Sequence, residues 1–313
     1  MRLTLRALVA IAAIAWATPT FAADQLVLVL DWYVNPDHGP ILVAQELRYF
    51  AEAGLDVDII APADANDAPK LVALGAADLS ITYQPQLYLQ VAEGLPVRRV
   101  GTLIDSPLNC LAVLADGPVR TIADLRGRKV GYSVAGFEDA LLKAMLERNG
   151  LKLSDVELVN VNFAMVPALL TGEVAAVIGA YRNFELNQMA LEGRPGRAFA
   201  VEDNGIPAYD ELIFIARADR TGDPRIAKFL KAVERGAAYI AAEPDKAWTL
   251  FVKGRPELDD ALNRRAWTDT IGHFAAHPAA LDRPRYQRFA EFLAAQKLIP
   301  KALAVEDYAV EVR

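Results

Sequence analysis

Between Asp24 and Arg217 short apolar runs alternate with segments of helical period, and this alternation limits the fold more than any other feature of the chain. QLVLVL (25–30), LDVDII (55–60), ADLSITY (77–83) and VRRVGTLI (97–104) are separated by helix-period stretches near 40–53, 66–75 and 85–93. Strand and helix taking turns implies βαβ units with mostly parallel sheets. Pro40 suits a first helical position and Gly54 a helix stop. After Asp105-Ser106-Pro107 a second series begins: NCLAVLAD (109–116), KVGYS (129–133), VELVNV (156–161), AAVIGA (175–180) and ELIFIAR (211–217), with helices near 137–149, 165–170 and 183–191.

Beyond Asp223 the texture becomes helical. In PRIAKFLKAVERGAAYIAAEP the residues Ile226, Phe229, Leu230, Val233 and Ala237 form one apolar stripe. A strand-poor tail after two α/β series is expected to pack back on the first series. The expected architecture is therefore α/β with two lobes, each a mostly parallel sheet flanked by helices, and a cleft between them. Lobe 1 is discontinuous (23–106 and 215–313) and lobe 2 runs from 107 to 214, with crossings near 105–110 and 205–215.

The first residues, MRLTLRALVAIAAIAWATPTFAADQ, carry Arg2 and Arg6, an apolar stretch from Ala7 to Ala17 and small residues around Ala22. This reads as a secretory signal peptide over 1–22, its apolar stretch well short of the roughly 20 residues that span a bilayer. Export to a periplasm is expected, with about 290 residues left to build the two lobes. Cys110 is the only cysteine, so disulfides contribute nothing and packing must hold the fold. The formal charge of −7 becomes −9 once Arg2 and Arg6 leave, and without a Lys/Arg block nucleic acid is not an expected partner.

Open α/β sheets bind ligands outside the carboxyl ends of their strands. Asp31, Trp32, Asn35 and His38 follow the first strand, Tyr83 the third, and Tyr181, Asn183 and Glu185 follow AAVIGA. Three clusters far apart in sequence share one structural address. Trp32 and Tyr83 could pack in the core, but polar loop residues follow each at once, as at the mouths of small-molecule sites. Rings converging on a cleft would stack a flat heterocycle.

Glu185 at the first turn of a helix is either a dipole-favoured surface carboxylate or an acceptor for an exocyclic amino group beside a ring nitrogen. Asn183 reads equally as an N-cap or a contact, and His38 equally as an acid/base or a backbone hydrogen-bond partner. Tyr209 and Glu211 read as hinge structure. His273 and His277 have the spacing of a helical metal pair, but HFAAH lacks the metalloprotease glutamate and no third ligand is evident, so no metal is expected. The chain has no glycine-rich phosphate loop, no G-x-S-x-G elbow and no cysteine cluster. It offers a binding surface without an obvious reactive group, and neither catalytic residues nor a cofactor is expected.

The stretches DWYVNPDHGPILVAQELRYFAEAGLDVDII, GAADLSITYQPQ, DLRGRKVGYS, NFAMVPALLTGEVAAVIGAYRNFE and VEDNGIPAYDELIFIA resemble the type II periplasmic binding proteins that serve ABC importers of thiamine-pyrimidine precursors, taurine, alkanesulfonates and riboflavin. GAYRNFE and EDNGIPAYDEL resemble the pyrimidine-precursor branch most. The resemblance implies a pyrimidine stacked between aromatics, Trp32 with Tyr83 or Tyr181, its amino edge recognised by Glu185. It also implies an inner-membrane ABC permease as partner, and a monomeric receptor is expected. The alternatives are a receptor for riboflavin or a sulfonate, a pyrimidine-forming enzyme of the same fold, or a sensory module. Eukaryotic relatives that are enzymes carry a cysteine-rich motif and an active-site histidine; here the motif is absent and TYQPQ has no histidine. Arg182 stands where an aromatic is common, and NPDHGP replaces an NTNHTG-like loop.

Overall fold

The computed structural model describes residues 23–313, so the leader segment lies outside the described residues. Among the described residues ten strands form two five-stranded sheets. The first holds β1 (Asp24–Val29), β2 (Leu55–Ile60), β3 (Leu79–Thr82), β4 (Val97–Ile104) and β10 (Leu212–Arg217), in the order β2-β1-β3-β10-β4. The second holds β5 (Asn109–Leu114), β6 (Lys129–Tyr132), β7 (Glu157–Asn160), β8 (Ala176–Tyr181) and β9 (Gly196–Ala200), in the order β7-β6-β8-β5-β9.

Each sheet has four strands in one direction and one reversed. β1 pairs in parallel with β2 and β3, and β10 runs antiparallel to β3 and β4. β6 pairs in parallel with β7 and β8, and β5 runs antiparallel to β8 and β9. The reversed strands are the ones that immediately follow the two crossings. A chain that leaves one sheet at a strand's carboxyl end enters the next sheet from that same end, so its first strand must point the other way. β10 pairs with the first sheet along its whole length, so the return crossing precedes Leu212 and a boundary between 214 and 215 would cut a strand.

The alternation of the sequence follows from burial of the central strands on both faces of each sheet. Leu26, Leu28, Leu79, Ile81, Ile213 and Ile215 are almost completely buried in the first sheet, as are Leu111, Val113, Val177 and Ile178 in the second. The helix Pro224–Ala242 turns Ile226, Phe229, Leu230, Val233 and Ala237 inward and lies against the helix Gly39–Glu46. Gly236 permits the approach, because a Cβ there would overlap the carbonyl oxygen of Pro40.

Two elements depart from expectation. The helix expected near 40–53 breaks into Gly39–Glu46 and Tyr49–Glu52, with Arg48 in the left-handed region at φ 61°. A short 3-10 turn, Pro36–His38, precedes it. GRAFA, which shows no alternation, becomes β9 because it completes the sheet edge beside β5. No helix among the described residues is long and apolar enough to cross a membrane.

Candidate functional site

The carboxyl ends of β1, β3, β6 and β8 face one another across the gap between the lobes. A cavity lies in that gap. Asp31, Trp32, Asn35, Tyr83, Tyr181 and Glu185 line it, and so does Asp37. Six of the eight residues singled out in the sequence thus meet at one cavity. His38 and Asn183 stand behind it, each bonded to a residue that lines it.

Asp31 continues from β1 and is gripped by two donors. Tyr83 Oη donates to its Oδ2 at 3.0 Å, and His38 Nε2 lies 3.0 Å from its Oδ1. His38 Nδ1 accepts the backbone N–H of Asn35 at 3.2 Å, which assigns the proton to Nε2. Both ring nitrogens are therefore spent inside the protein, and the ring is fully buried. Of the two roles open to His38, the geometry gives it that of a positioning group for Asp31. Asn35 caps the turn that carries it, its Oδ1 accepting from the Asp37 N–H at 2.8 Å.

The aromatic rings meet in pairs that straddle the cleft. Trp32 meets Phe163 edge to face, centroids 4.4 Å apart, and Tyr33 reaches Phe184 at 6.0 Å. Tyr83 stacks on Phe137 at 4.9 Å and 15° between planes. Polar groups also bridge the lobes. Asn183 Nδ2 donates to Asp37 Oδ1 at 2.6 Å and to Thr270 Oγ1 at 2.7 Å, which places Asn183 as a latch behind the cavity wall. Asn187 donates to Asp269 at 2.7 Å, and Asn66 takes the Ala135 N–H at 3.1 Å while donating to the Ser133 carbonyl. These contacts describe lobes closed on the cavity.

The crossings are tied to each other. Glu211 Oε2 accepts the N–H groups of Leu108 and Asn109 at 2.6 and 2.8 Å and the Tyr209 hydroxyl at 3.1 Å. Arg182 turns away from the cavity, donating to the Pro107 and Leu108 carbonyls and pairing with Glu202 at 2.8 Å. His273 ends the 3-10 turn Ile271–His273 and bonds Ser106 Oγ at 2.7 Å, whereas His277 pairs with Glu234 at 2.9 Å, so the two imidazoles serve different partners.

Phe137, Glu138, Met165, Gly179 and Phe184 also line the cavity and escaped the sequence reading. Glu138 is the most consequential. It opens the helix Glu138–Arg148 after β6, the same address as the other clusters, and its Oε2 accepts the Ser133 N–H at 2.6 Å. Glu185 is held alike on the helix Glu185–Leu191, its Oε2 accepting the Tyr181 N–H at 2.7 Å.

Four carboxyls thus border a small space that no lysine or arginine among the described residues lines. Burial disfavours the charged form of three of them: it pushes Asp37 up to about 6, Glu185 to about 7 and Glu138 to about 8. Glu211 at the crossings is raised to about 7, again chiefly by burial. An acid with a raised folded-state pKa binds more protons folded than unfolded between the two values. The stability it contributes is complete below the unfolded value and is lost as pH rises through the folded one. His273, lowered by burial, opposes this with one group against four. The ligand-free protein is therefore expected to melt at least about 4 °C lower at pH 8 than at pH 5.5, as measured by calorimetry. An equal or higher melting temperature at pH 8 would contradict the burial of these carboxyls.

The chain matches the family described as NMT1/THI5 like over residues 35–247. It is 53% identical over 295 residues to a Haemophilus influenzae protein named for thiamine biosynthesis, covering 94% of each chain. It is 35% identical to the formylaminopyrimidine-binding protein of Halalkalibacterium halodurans, covering 77% of this chain and 74% of the relative. A 4-amino-5-hydroxymethyl-2-methylpyrimidine phosphate synthase of Legionella pneumophila is 28% identical, with 83% of each covered. Among solved structures, the alkanesulfonate-binding protein SsuA of Xanthomonas axonopodis pv. citri, bound to MOPS, superposes with a TM-score of 0.72 at 17% identity, covering 92% of this chain and 98% of that one. That likeness shows the fold, the two-lobed α/β architecture of periplasmic binding proteins, as the sequence resemblance implied. With its sequence matched from the first site loop to beyond the second crossing, the chain belongs to the NMT1/THI5-like family.

Proposed function

We propose that this protein is the periplasmic solute receptor of an ABC importer and that it encloses a thiamine-pyrimidine precursor, an aminopyrimidine, between its lobes. One observation carries the reading: the cavity is walled by aromatic rings and four carboxyls and has no cationic lining. An aminopyrimidine offers N–H donors to acids and a flat face to rings, and it brings no negative charge to a space that already holds four carboxyls. The relative named as a formylaminopyrimidine-binding protein supports the same class of solute.

A sulfonate, though bound by proteins of this fold, would need cations or several free N–H donors, and no lysine or arginine among the described residues lines the cavity. The same lining bears on synthesis. A phosphate ester product would face the same acids, so the geometry favours capture and release over the reaction for which the Legionella pneumophila relative is named. In this reading residues 23–106 and 212–313 form one lobe and 107–211 the other, the crossings held by Glu211 act as the hinge, and the permease meets the closed form. The leader sequence supports export.

Calorimetric titration with 4-amino-5-hydroxymethyl-2-methylpyrimidine, its formylamino analogue, riboflavin, taurine and an alkanesulfonate tests the reading. Only the aminopyrimidines are expected to bind tightly, and a hundredfold excess over Kd should add about 2.7 kcal/mol to unfolding stability. Tight binding of a sulfonate with none of an aminopyrimidine would overturn it.

A further inference from the structure

We propose that Glu138 is a specificity-determining residue of this cavity: an internal carboxyl, seated where the chain enters the helix Glu138–Arg148, that reserves the site for uncharged or cationic heterocycles and turns away solutes bearing a phosphate or sulfonate. The inference rests on the reading of the cavity as an aminopyrimidine site and adds to it which solutes of that class are refused.

The start of an eleven-residue helix favours negative charge through its free N–H groups and aligned peptide dipoles. An incoming oxyanion would be drawn there. Glu138 has already filled the place: it is 2% exposed, it borders the cavity, and its Oε2 takes the Ser133 N–H at 2.6 Å. The donor that would meet a phosphate oxygen is thus occupied by the protein's own carboxyl.

A second element, far away in sequence, is built to seat that carboxyl. β8 carries an extra residue opposite β5, where Cys110 faces Ala180 but Leu111 faces Ile178. The extra residue is Gly179, at φ +95°, its N–H donating to Asn109 Oδ1 at 3.2 Å. A bulge with a left-handed glycine bends the strand and leaves one position without a side chain. A Cβ at that position would overlap the Glu138 carboxyl itself. The bulge therefore serves as the seat of Glu138, and the carboxyl cannot be displaced toward β8 to admit a larger anion. Asp31, Asp37 and Glu185 complete a ring of acids in which no side chain offers a compensating positive charge.

The test compares the free pyrimidine, 4-amino-5-hydroxymethyl-2-methylpyrimidine, with its phosphate monoester by isothermal titration at pH 9, where a carboxyl pushed up to about 8 is mainly ionised, on the parent, Glu138→Gln and Glu138→Ser. The glutamine keeps shape without charge and the serine also frees the Ser133 N–H, while circular dichroism and the melting temperature verify that each variant is folded. The parent is expected to prefer the free pyrimidine by about 100-fold or more, and each variant to narrow that ratio by about tenfold, the order of one short-range charge pair in a partly screened site. A ratio unchanged in both folded variants overturns the assignment of Glu138 while leaving the aminopyrimidine site intact. A parent that binds neither compound overturns the site reading and this assignment with it.

Discussion

Glu185→Gln is expected to weaken aminopyrimidine binding by about 10- to 150-fold, equivalent to the roughly 1.5–3 kcal/mol of a hydrogen bond to a charged group. The reason lies in how the carboxyl is already used. Oε2 is committed to the Tyr181 N–H at 2.7 Å, so Oε1 is the oxygen left for a solute. In the amide, the oxygen must keep the Tyr181 bond, and the NH₂ group then points toward the solute. An acceptor becomes a pair of donors facing the exocyclic amine. Donor would meet donor, and the desolvation of both would go uncompensated. Titration calorimetry on the folded variant reads the effect, and Glu185→Asp, which keeps the charge on a shorter arm, is expected to lose less. Equal Kd values for parent and Glu185→Gln would remove Glu185 from the recognition edge.

Trp32→Ala is expected to reduce affinity by about 5- to 150-fold, the range of about 1–3 kcal/mol for one aromatic platform under a heterocycle. The ring does two things at once. It forms a wall of the cavity and meets Phe163 of the opposite lobe at 4.4 Å, so its loss removes stacking area and a contact between the lobes. Small-angle scattering with saturating pyrimidine should show the variant more extended than the parent, and Trp32→Phe should recover most of both effects. An alanine variant that binds and closes like the parent would show that the pyrimidine stacks elsewhere, with the Tyr83–Phe137 pair the next candidate.

The sequence made the scaffold largely legible because the central strands of both sheets are buried on both faces, and burial writes itself as short apolar runs. It was silent where tertiary contact decides. GRAFA has no periodicity of its own and is a strand only because β5 offers it an edge. QELRYFAEAG reads as unbroken helix, yet Arg48 turns left-handed within it.

The site divides in the same way. Asp31, Trp32, Tyr83, Tyr181 and Glu185 were found because they stand at strand ends, and strand ends are visible in sequence. The role of His38 was not visible, since only the positions of Asp31 and the Asn35 N–H fix which nitrogen carries the proton. Glu138 looked like an ordinary first-turn acid. Its meaning emerges from Gly179, about forty positions away, whose missing side chain makes the room it occupies. One further signal was available: Glu138 follows β6 at the same address as the other clusters, and applying the strand-end rule to every strand would have included it.

The physical core of the account is that buried acids and rings, with no cation among them, hold a flat nitrogenous solute. A crystal structure of the protein with 4-amino-5-hydroxymethyl-2-methylpyrimidine tests this most directly. The account requires the ring inside the closed cleft, with its exocyclic nitrogen about 2.8–3.0 Å from a Glu185 carboxyl oxygen and its face against Trp32 or Tyr83. A pyrimidine bound outside the cleft, or inside it with the amine turned away from Glu185, would contradict it.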